Sequence, residues 1–399
     1  MSVCFPRGFR AAGLHCGIRP NREKPDLALL VSDVPAAAAA VYTTNLVKGA
    51  PLLVTQNHLR GGTARAVICN SGNANTCNAD GIEIAEAMCA LVERHLGVPA
   101  GEVLVASTGV IGQPLPIAPI AAAMPALCEA LRPDGNEQAA RAIMTTDTFP
   151  KLAAAEFQVN GVACRIGGMA KGSGMIHPDM ATLLAFITSD AAIEPEILRQ
   201  ALKESAEGSL NMLSVDGDTS TNDMCCILAN GMAGNDLITG PGEALNAFKE
   251  ALSKVLIELT RMLARDGEGA TKLLECRVAG GKTQRDARLA AKSVIASSLF
   301  KAAMFGADAN WGRVLCALGY SGADMDVARV GVSFESRAGR VDVCENGAGI
   351  PFSEDHAKLV LGESEVTILI TLRDGGFSAT AWGCDLTYDY VKINGDYRT

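Results

Sequence analysis

Lys171-Gly172-Ser173-Gly174-Met175-Ile176-His177-Pro178-Asp179-Met180-Ala181-Thr182 runs directly into Leu183-Leu184-Ala185-Phe186-Ile187. The first stretch is rich in glycine and ends in two small residues. The second is a short, uninterrupted apolar run and reads as a buried strand. A threonine at the mouth of a buried strand can be held rigidly. In most proteins such a residue is a β-branched strand former and nothing more. Cutting the bond before it changes its chemistry. The threonine gains a free α-amine beside its hydroxyl, so the amine can serve as base and the hydroxyl as nucleophile.

Strands and helices alternate on either side of this junction. Arg65–Cys69 reads as a strand that empties into a polar Asn/Ser/Gly loop. Asp80 with Glu83 fits a capping box, followed by Ile84, Met88, Leu91 and His95 at helical spacing and a stop at Gly97. Glu102–Ser107 is a second strand and leads into Thr108-Gly109. Two strands that end in polar, glycine-containing loops are where layered α/β proteins tend to build sites. Asn160-Gly161, between two apolar runs, predicts a hairpin with a type I′ turn. A long helix is expected near Pro241 to Ala264, with Ala244, Phe248, Leu252, Leu256, Leu259 and Leu263 on one face. A second should cover Asp286 to about Met304. Beyond it the chain reads as strands: Ala328–Phe334, Arg340–Cys344, Val366–Leu372 and Phe377–Cys384. The expected fold is therefore layered α/β with a β-rich C-terminal domain. The division expected is 1–195 for a core that includes the Ala181-Thr182 junction, 196–280 for a mainly helical segment, and 281–399 for a C-terminal α/β domain.

Composition excludes several function classes. The 399 residues carry a net charge of −9 and show no basic cluster, which argues against nucleic-acid and anionic-membrane partners. No apolar run approaches the roughly 20 residues of a membrane span. Met1–Gly8 has no apolar h-region of a secretory signal. The 13 cysteines are scattered without any C-x-x-C, which favours free thiols in a reducing compartment, the cytoplasm. The five histidines lack metal-ligand spacing, so no metal is expected. His177 precedes Pro178, which favours an extended loop, and reads as a loop residue rather than a base. Gln158–Ala163 and Arg165–Ala170 both fit a [Q/R]-x-x-G-x-[G/A] pattern that marks coenzyme A binding in an unrelated superfamily. There the loop must open a helix. Neither stretch does so here, and both matches read as coincidence.

A set of motifs strung along the whole chain carries a resemblance. It comprises Asn70-Ser71-Gly72-Asn73-Ala74-Asn75, Ser107–Gly112, Met144-Thr145-Thr146-Asp147-Thr148, the Lys171–Thr182 stretch, Asp216–Asp223, Asp266–Lys272, Phe305–Arg313 and Tyr388–Thr399. In this order, from Phe9 to the last residue, they resemble the ornithine acetyltransferase family of arginine biosynthesis. The resemblance implies a self-processing aminopeptidase-like fold and cleavage between Ala181 and Thr182 into chains 1–181 and 182–399. It implies acetyl transfer from N2-acetyl-L-ornithine to L-glutamate through an acetyl-Thr182 intermediate, with acetyl-CoA as a second donor in bifunctional members. By the same resemblance Thr108 and Gly109 form the oxyanion hole. Thr145, Lys171, Thr182, Glu268, Asn394 and Thr399 bind substrate. Thr148 is the weaker alternative to Thr145. The partners implied are small-molecule substrates, with the two cleaved chains paired and the pairs forming a dimer. No cofactor is implied beyond acetyl-CoA as co-substrate. Two rivals share parts of this reading. One is a self-cleaving amidase or aminopeptidase with the same nucleophile; the other is a non-catalytic amino-acid-binding protein of the same fold.

Overall fold

The apolar run after residue 182 folds as the strand Leu184–Ser189, with all six residues buried. The computed structural model describes residues 1–21, 23–177 and 183–395. Leu184 and Phe186 pack with Met169, Cys226 and Leu228 on one face, whereas Ala185 and Ile187 pack with Cys225, Ile227 and Leu252 on the other. A strand covered on both faces reads as a continuous apolar run instead of an alternating one. That is why this segment is legible as a strand while its period is not.

Leu184–Ser189 lies inside an eight-stranded sheet. The order is Val103–Val110, Thr63–Asn73, Leu27–Tyr42, Met224–Ala229, Leu184–Ser189, Val162–Lys171 and Lys151–Val159, with Phe9–Leu14 also paired to Leu27–Tyr42. Leu184–Ser189 runs parallel to Met224–Ala229 and antiparallel to Val162–Lys171. One face of this sheet is covered by the helix Asn136–Ile143. The other is covered by Gly81–Leu96 and Ile117–Glu129 at one end and by Pro195–Glu207 and Glu243–Arg265 at the other. A second, seven-stranded sheet has the order Ala348–Gly349, Gly339–Glu345, Gly331–Ser336, Glu365–Thr371, Leu273–Gly281, Phe377–Cys384 and Leu213–Ser214. Glu243–Arg265 packs against strands of both sheets and joins the two layers.

The hairpin forms between Lys151–Val159 and Val162–Lys171, and Asn160 and Gly161 take φ of 49° and 82°, as a type I′ turn requires. The long helix is Glu243–Arg265, and Phe248, Leu252, Leu256, Leu259 and Leu263 are buried along it. The four C-terminal strands are present, the first beginning three residues late at Gly331.

Two expectations need correction. Asp80 makes no side-chain cap to the helix Gly81–Leu96, and Glu83 is exposed, so there is no capping box. The stop at Gly97 is present, with φ of 67°. The helix expected over Asp286–Met304 is two helices, Gln284–Ala296 and Ser298–Phe305. Ser297 leaves helical geometry at ψ 111° and its hydroxyl caps the Phe300 N–H, so a strong N-cap residue in mid-segment ends one helix and starts the next. Residues 196–280 hold two helices, but Met224–Ala229 enters the first sheet and Leu273–Gly281 the second. The chain crosses between sheets there.

Candidate active site

Both shoulders of the Ala181-Thr182 junction are tied down by hydrogen bonds. Ahead of it, Asp216 accepts hydrogen bonds from the Met175 N–H at 2.6 Å and the Ile176 N–H at 2.8 Å. The Ile176 carbonyl accepts from the Val215 N–H, and the Thr219 hydroxyl donates to the His177 carbonyl. After the junction, the Leu183 carbonyl accepts from the Met224 N–H at 2.9 Å. Residues 178–182, with the expected cleavage pair Ala181 and Thr182, lie outside the described residues. His177 lies in a loop, and its Nδ1 lies 3.0 Å from the Ser214 hydroxyl. Its side chain is not part of the cavity described next.

That cavity opens beside Leu183. It is lined by Thr108, Gly109, Thr145, Lys171, Glu268 and Asn394, six of the residues expected from sequence, drawn from segments far apart in the chain. Thr399 lies outside the described residues.

Thr108 and Gly109 sit near the end of the strand Val103–Val110. Gly109 has φ of +132°, and a Cβ there would lie 2.3 Å from the Gly72 carbonyl carbon across the paired strand. Both the torsion and the space demand glycine. The Thr108 hydroxyl accepts from Lys171 Nζ at 3.4 Å, which leaves its own hydrogen to be donated elsewhere.

Lys171 ends the strand Val162–Lys171, and it is buried. Burial pushes its ammonium pKa down, the attraction of Asp147 opposes this, and Lys151 adds to the depression. A ligand carboxylate would give this buried cation a further counter-charge.

Asp147 organises the loop beneath it. Its carboxylate accepts from the Thr145 N–H at 2.9 Å, the Gly172 N–H at 2.7 Å and Lys151 Nζ at 2.7 Å. Burial works against its ionisation. Lys171, Lys151 and the Gly172 N–H outweigh that and hold its pKa well below the usual carboxylate range. Lys151 Nζ also donates to Asp266 at 2.5 Å. Asp266 takes both the N–H and the hydroxyl of Thr148. Thr148 is therefore committed to the scaffold, and Thr145 and Thr146 face the cavity.

Glu268 follows Asp266 by two residues, and its N–H donates to the Ser173 carbonyl. Its carboxylate lies against Gly174, where a Cβ would stand 2.3 Å from Oε2. Asn394 Nδ2 donates to Glu268 Oε2 at 2.6 Å. The tail that carries Asn394 is a helix, Tyr388–Asn394, held by Thr387 to the Gly269 carbonyl and by the Tyr390 hydroxyl to Asp216.

Asp147, Lys151, Asp216, Asn222, Asp223 and Asp266 have roles here that the sequence alone does not indicate. Asn222 Nδ2 donates to the carbonyls of Ala74 and Ser107, and its Oδ1 accepts from the Thr76 and Thr221 hydroxyls. It thus fixes the loop next to Thr108. Asp223 lines the cavity. The available signal was position: Asn222-Asp223 stands immediately before the buried strand Met224–Ala229, as Ala181-Thr182 stands before its neighbour. Among the described residues, no group of three His, Cys, Asp or Glu side chains is placed to hold a metal ion.

The chain is similar over its whole length to known proteins. It is 54% identical over 400 residues to arginine biosynthesis bifunctional protein ArgJ of Symbiobacterium thermophilum, covering 100% of this chain and 98% of that one. It is 45% identical over 399 residues to the protein of the same name in Bacillus subtilis, covering 100% and 96%. A crystal structure of arginine biosynthesis bifunctional protein argJ from Bacillus halodurans is 40% identical, with a TM-score of 0.50, and covers 53% of this chain and 97% of its own. A family model matches residues 10–399, and on these grounds the chain belongs to the ArgJ family.

Proposed function

We propose that the chain cleaves itself between Ala181 and Thr182 and then transfers acetyl from N2-acetyl-L-ornithine to L-glutamate through an acetyl-Thr182 ester. One observation carries this reading. Thr108, Gly109, Thr145, Lys171, Glu268 and Asn394 surround a single cavity beside Leu183, the residue that follows the nucleophile. The solved Bacillus halodurans chain supports the cut: it is matched almost whole yet spans just over half of this chain, about the share of a piece beginning at Thr182.

The chemistry needs a nucleophile, a base, an oxyanion hole and two ways of holding an amino acid. The Thr182 hydroxyl attacks the acetyl carbonyl. Its α-amine, a group that ordinarily titrates at about pH 7.7–8.0, takes and returns the proton. The Thr108 hydroxyl and Gly109 N–H receive the tetrahedral oxyanion; loss of one such donor typically costs about 10²–10³ in turnover. Lys171 pairs with the substrate carboxylate and Thr145 adds a hydrogen bond. Glu268, oriented by Asn394, holds the side-chain ammonium of ornithine, and Thr399 closes the site. Ornithine leaves, glutamate enters, and its amine takes the acetyl group. Ping-pong kinetics follow.

Acetyl-CoA acts as a second donor in this proposal, as a co-substrate, and no other cofactor takes part. The working form is a dimer of two-chain units in the cytoplasm. No helix among the described residues is long and apolar enough to cross a membrane. The deciding experiment is glutamate acetylation assayed with each donor in turn. Transfer from acetylornithine is expected. Hydrolysis of small peptides without transfer would favour the amidase reading instead.

A further inference from the structure

Asp223 stands one residue before the strand Met224–Ala229, at the end that faces the cavity. Only 3% of its surface is exposed, and its Oδ2 has no hydrogen-bond partner among the described residues. Its backbone carbonyl is used, accepting from the Thr43 N–H. Burying a carboxyl oxygen away from water is costly. Among the described residues, two groups favour its ionised form. Ser220 donates a hydrogen bond to its carboxyl and Lys171 supplies a positive charge, but burial outweighs both and pushes its pKa well above the usual carboxylate range. Burial of this kind favours the neutral carboxyl, which can give up its proton when a stronger base comes beside it.

The proposed exchange has a use for that property. Acetylornithine presents a neutral amide nitrogen, whereas ornithine is stable in water as an ammonium. Glutamate arrives as an ammonium and must lose a proton before it can attack. The first half-reaction therefore requires a proton beyond the one from the Thr182 hydroxyl, and the second releases one.

We infer that Asp223 carries this proton between the two half-reactions, an assignment that rests on the function proposed above. In the first half, the bond from the Thr182 oxygen to the acetyl carbon forms and the amide C–N bond breaks. The hydroxyl proton passes to the departing nitrogen by way of the α-amine. The Asp223 carboxyl then protonates the resulting amine, and ornithine leaves as an ammonium beside a carboxylate. In the second half, that carboxylate takes a proton from the glutamate ammonium. The free amine attacks the acetyl ester, its remaining surplus proton returns to the Thr182 oxygen, and Asp223 is again neutral. Atoms and charge balance over the cycle.

The self-processed wild-type protein tests this directly. It is mixed with excess acetylornithine and no glutamate, in weak buffer with a pH indicator, at pH 7. Proton uptake from solution should lag behind ornithine formation, because Asp223 supplies the proton first and is re-protonated only after ornithine leaves; uptake in step with ornithine formation would overturn the assignment. Asp223→Asn gives an independent test, with processing checked on a gel. Its acetylornithine-to-glutamate rate should fall by about 10²-fold or more, in the range typical of lost acid–base catalysis. Acetyl-enzyme formation from p-nitrophenyl acetate should fall far less than the acetylornithine rate, because a phenolate leaves without a proton. Asp223→Glu should restore part of the lost rate. An equal loss with both donors, or no loss with acetylornithine, would overturn the proposal. A wild-type enzyme that transfers no acetyl from acetylornithine would overturn the underlying function, which separates that failure from a failure of Asp223 alone.

Discussion

Asn394 Nδ2 donates to Glu268 Oε2 at 2.6 Å, across 126 residues of sequence. The bond joins the last helix of the chain to the wall of the cavity and fixes one carboxylate oxygen. Glu268 is thereby aimed before any ligand arrives. A residue pre-set in this way loses little side-chain freedom on binding.

Glu268→Gln keeps the shape and removes the charge. A charge-assisted hydrogen bond is worth roughly 1.5–3 kcal/mol, so kcat/KM with acetylornithine should fall by one to two decades. Activity with acetyl-CoA should fall less, since that donor brings no side-chain ammonium. Self-cleavage should persist. Steady-state kinetics with both donors check this, and equal losses would remove the ornithine-specific role.

Self-cleavage has its own signature. The purified protein should run as two chains on a denaturing gel, and N-terminal sequencing of the second should begin Thr-Leu-Leu-Ala-Phe. Thr182→Ala should remain one chain with neither activity, because no hydroxyl is left for either step. An active Ala variant would refute the mechanism.

Gly109→Ala tests the oxyanion hole by geometry. The new methyl would stand 2.3 Å from the Gly72 carbonyl carbon at a φ of +132°. One of the two strands must move, and the Gly109 N–H moves with it. Turnover should drop by about 10²–10³-fold for both donors alike. A loss confined to one donor would place the defect in binding instead.

The legible part of this protein is local. The Leu183–Ile187 run, the Asn160-Gly161 turn and the stripe from Phe248 to Leu263 each carry their structure within a few residues, and each forms as read. The cavity is legible in its motifs but not in its scaffold. Asp147 meets Lys151 four residues away, but Asp266 meets the same lysine across 115 residues. Nothing in a single sequence says that these three share one buried point. Asn222 is similar, since its partners lie 148 and 115 residues away. The Ser297 break is readable in principle, because serine is a good N-cap wherever it stands. It is masked by apolar spacing that continues through it.

The last prediction concerns that scaffold. Lys151, Asp147 and Asp266 form a buried ionic cluster, with the Lys151 and Asp147 side chains fully removed from solvent. Removing one member strands the others. Lys151→Met should cost about 3–5 kcal/mol, because two carboxylates would lose their shared cation. The pH dependence follows from Asp147, whose folded pKa is depressed. Its contribution is complete above the unfolded value of about 3.9 and is lost as pH falls through the lower folded value. Wild-type stability should therefore carry an acid-side loss from this group that begins below about pH 4. In Asp147→Asn that component should be absent, with the protein already weaker at pH 7. Denaturant unfolding at pH 7, 5 and 3.5 measures both effects. If Asp147→Asn matched wild type at pH 7, the cluster would contribute no net stability, and the Thr145 and Gly172 backbone would have to be held by something else.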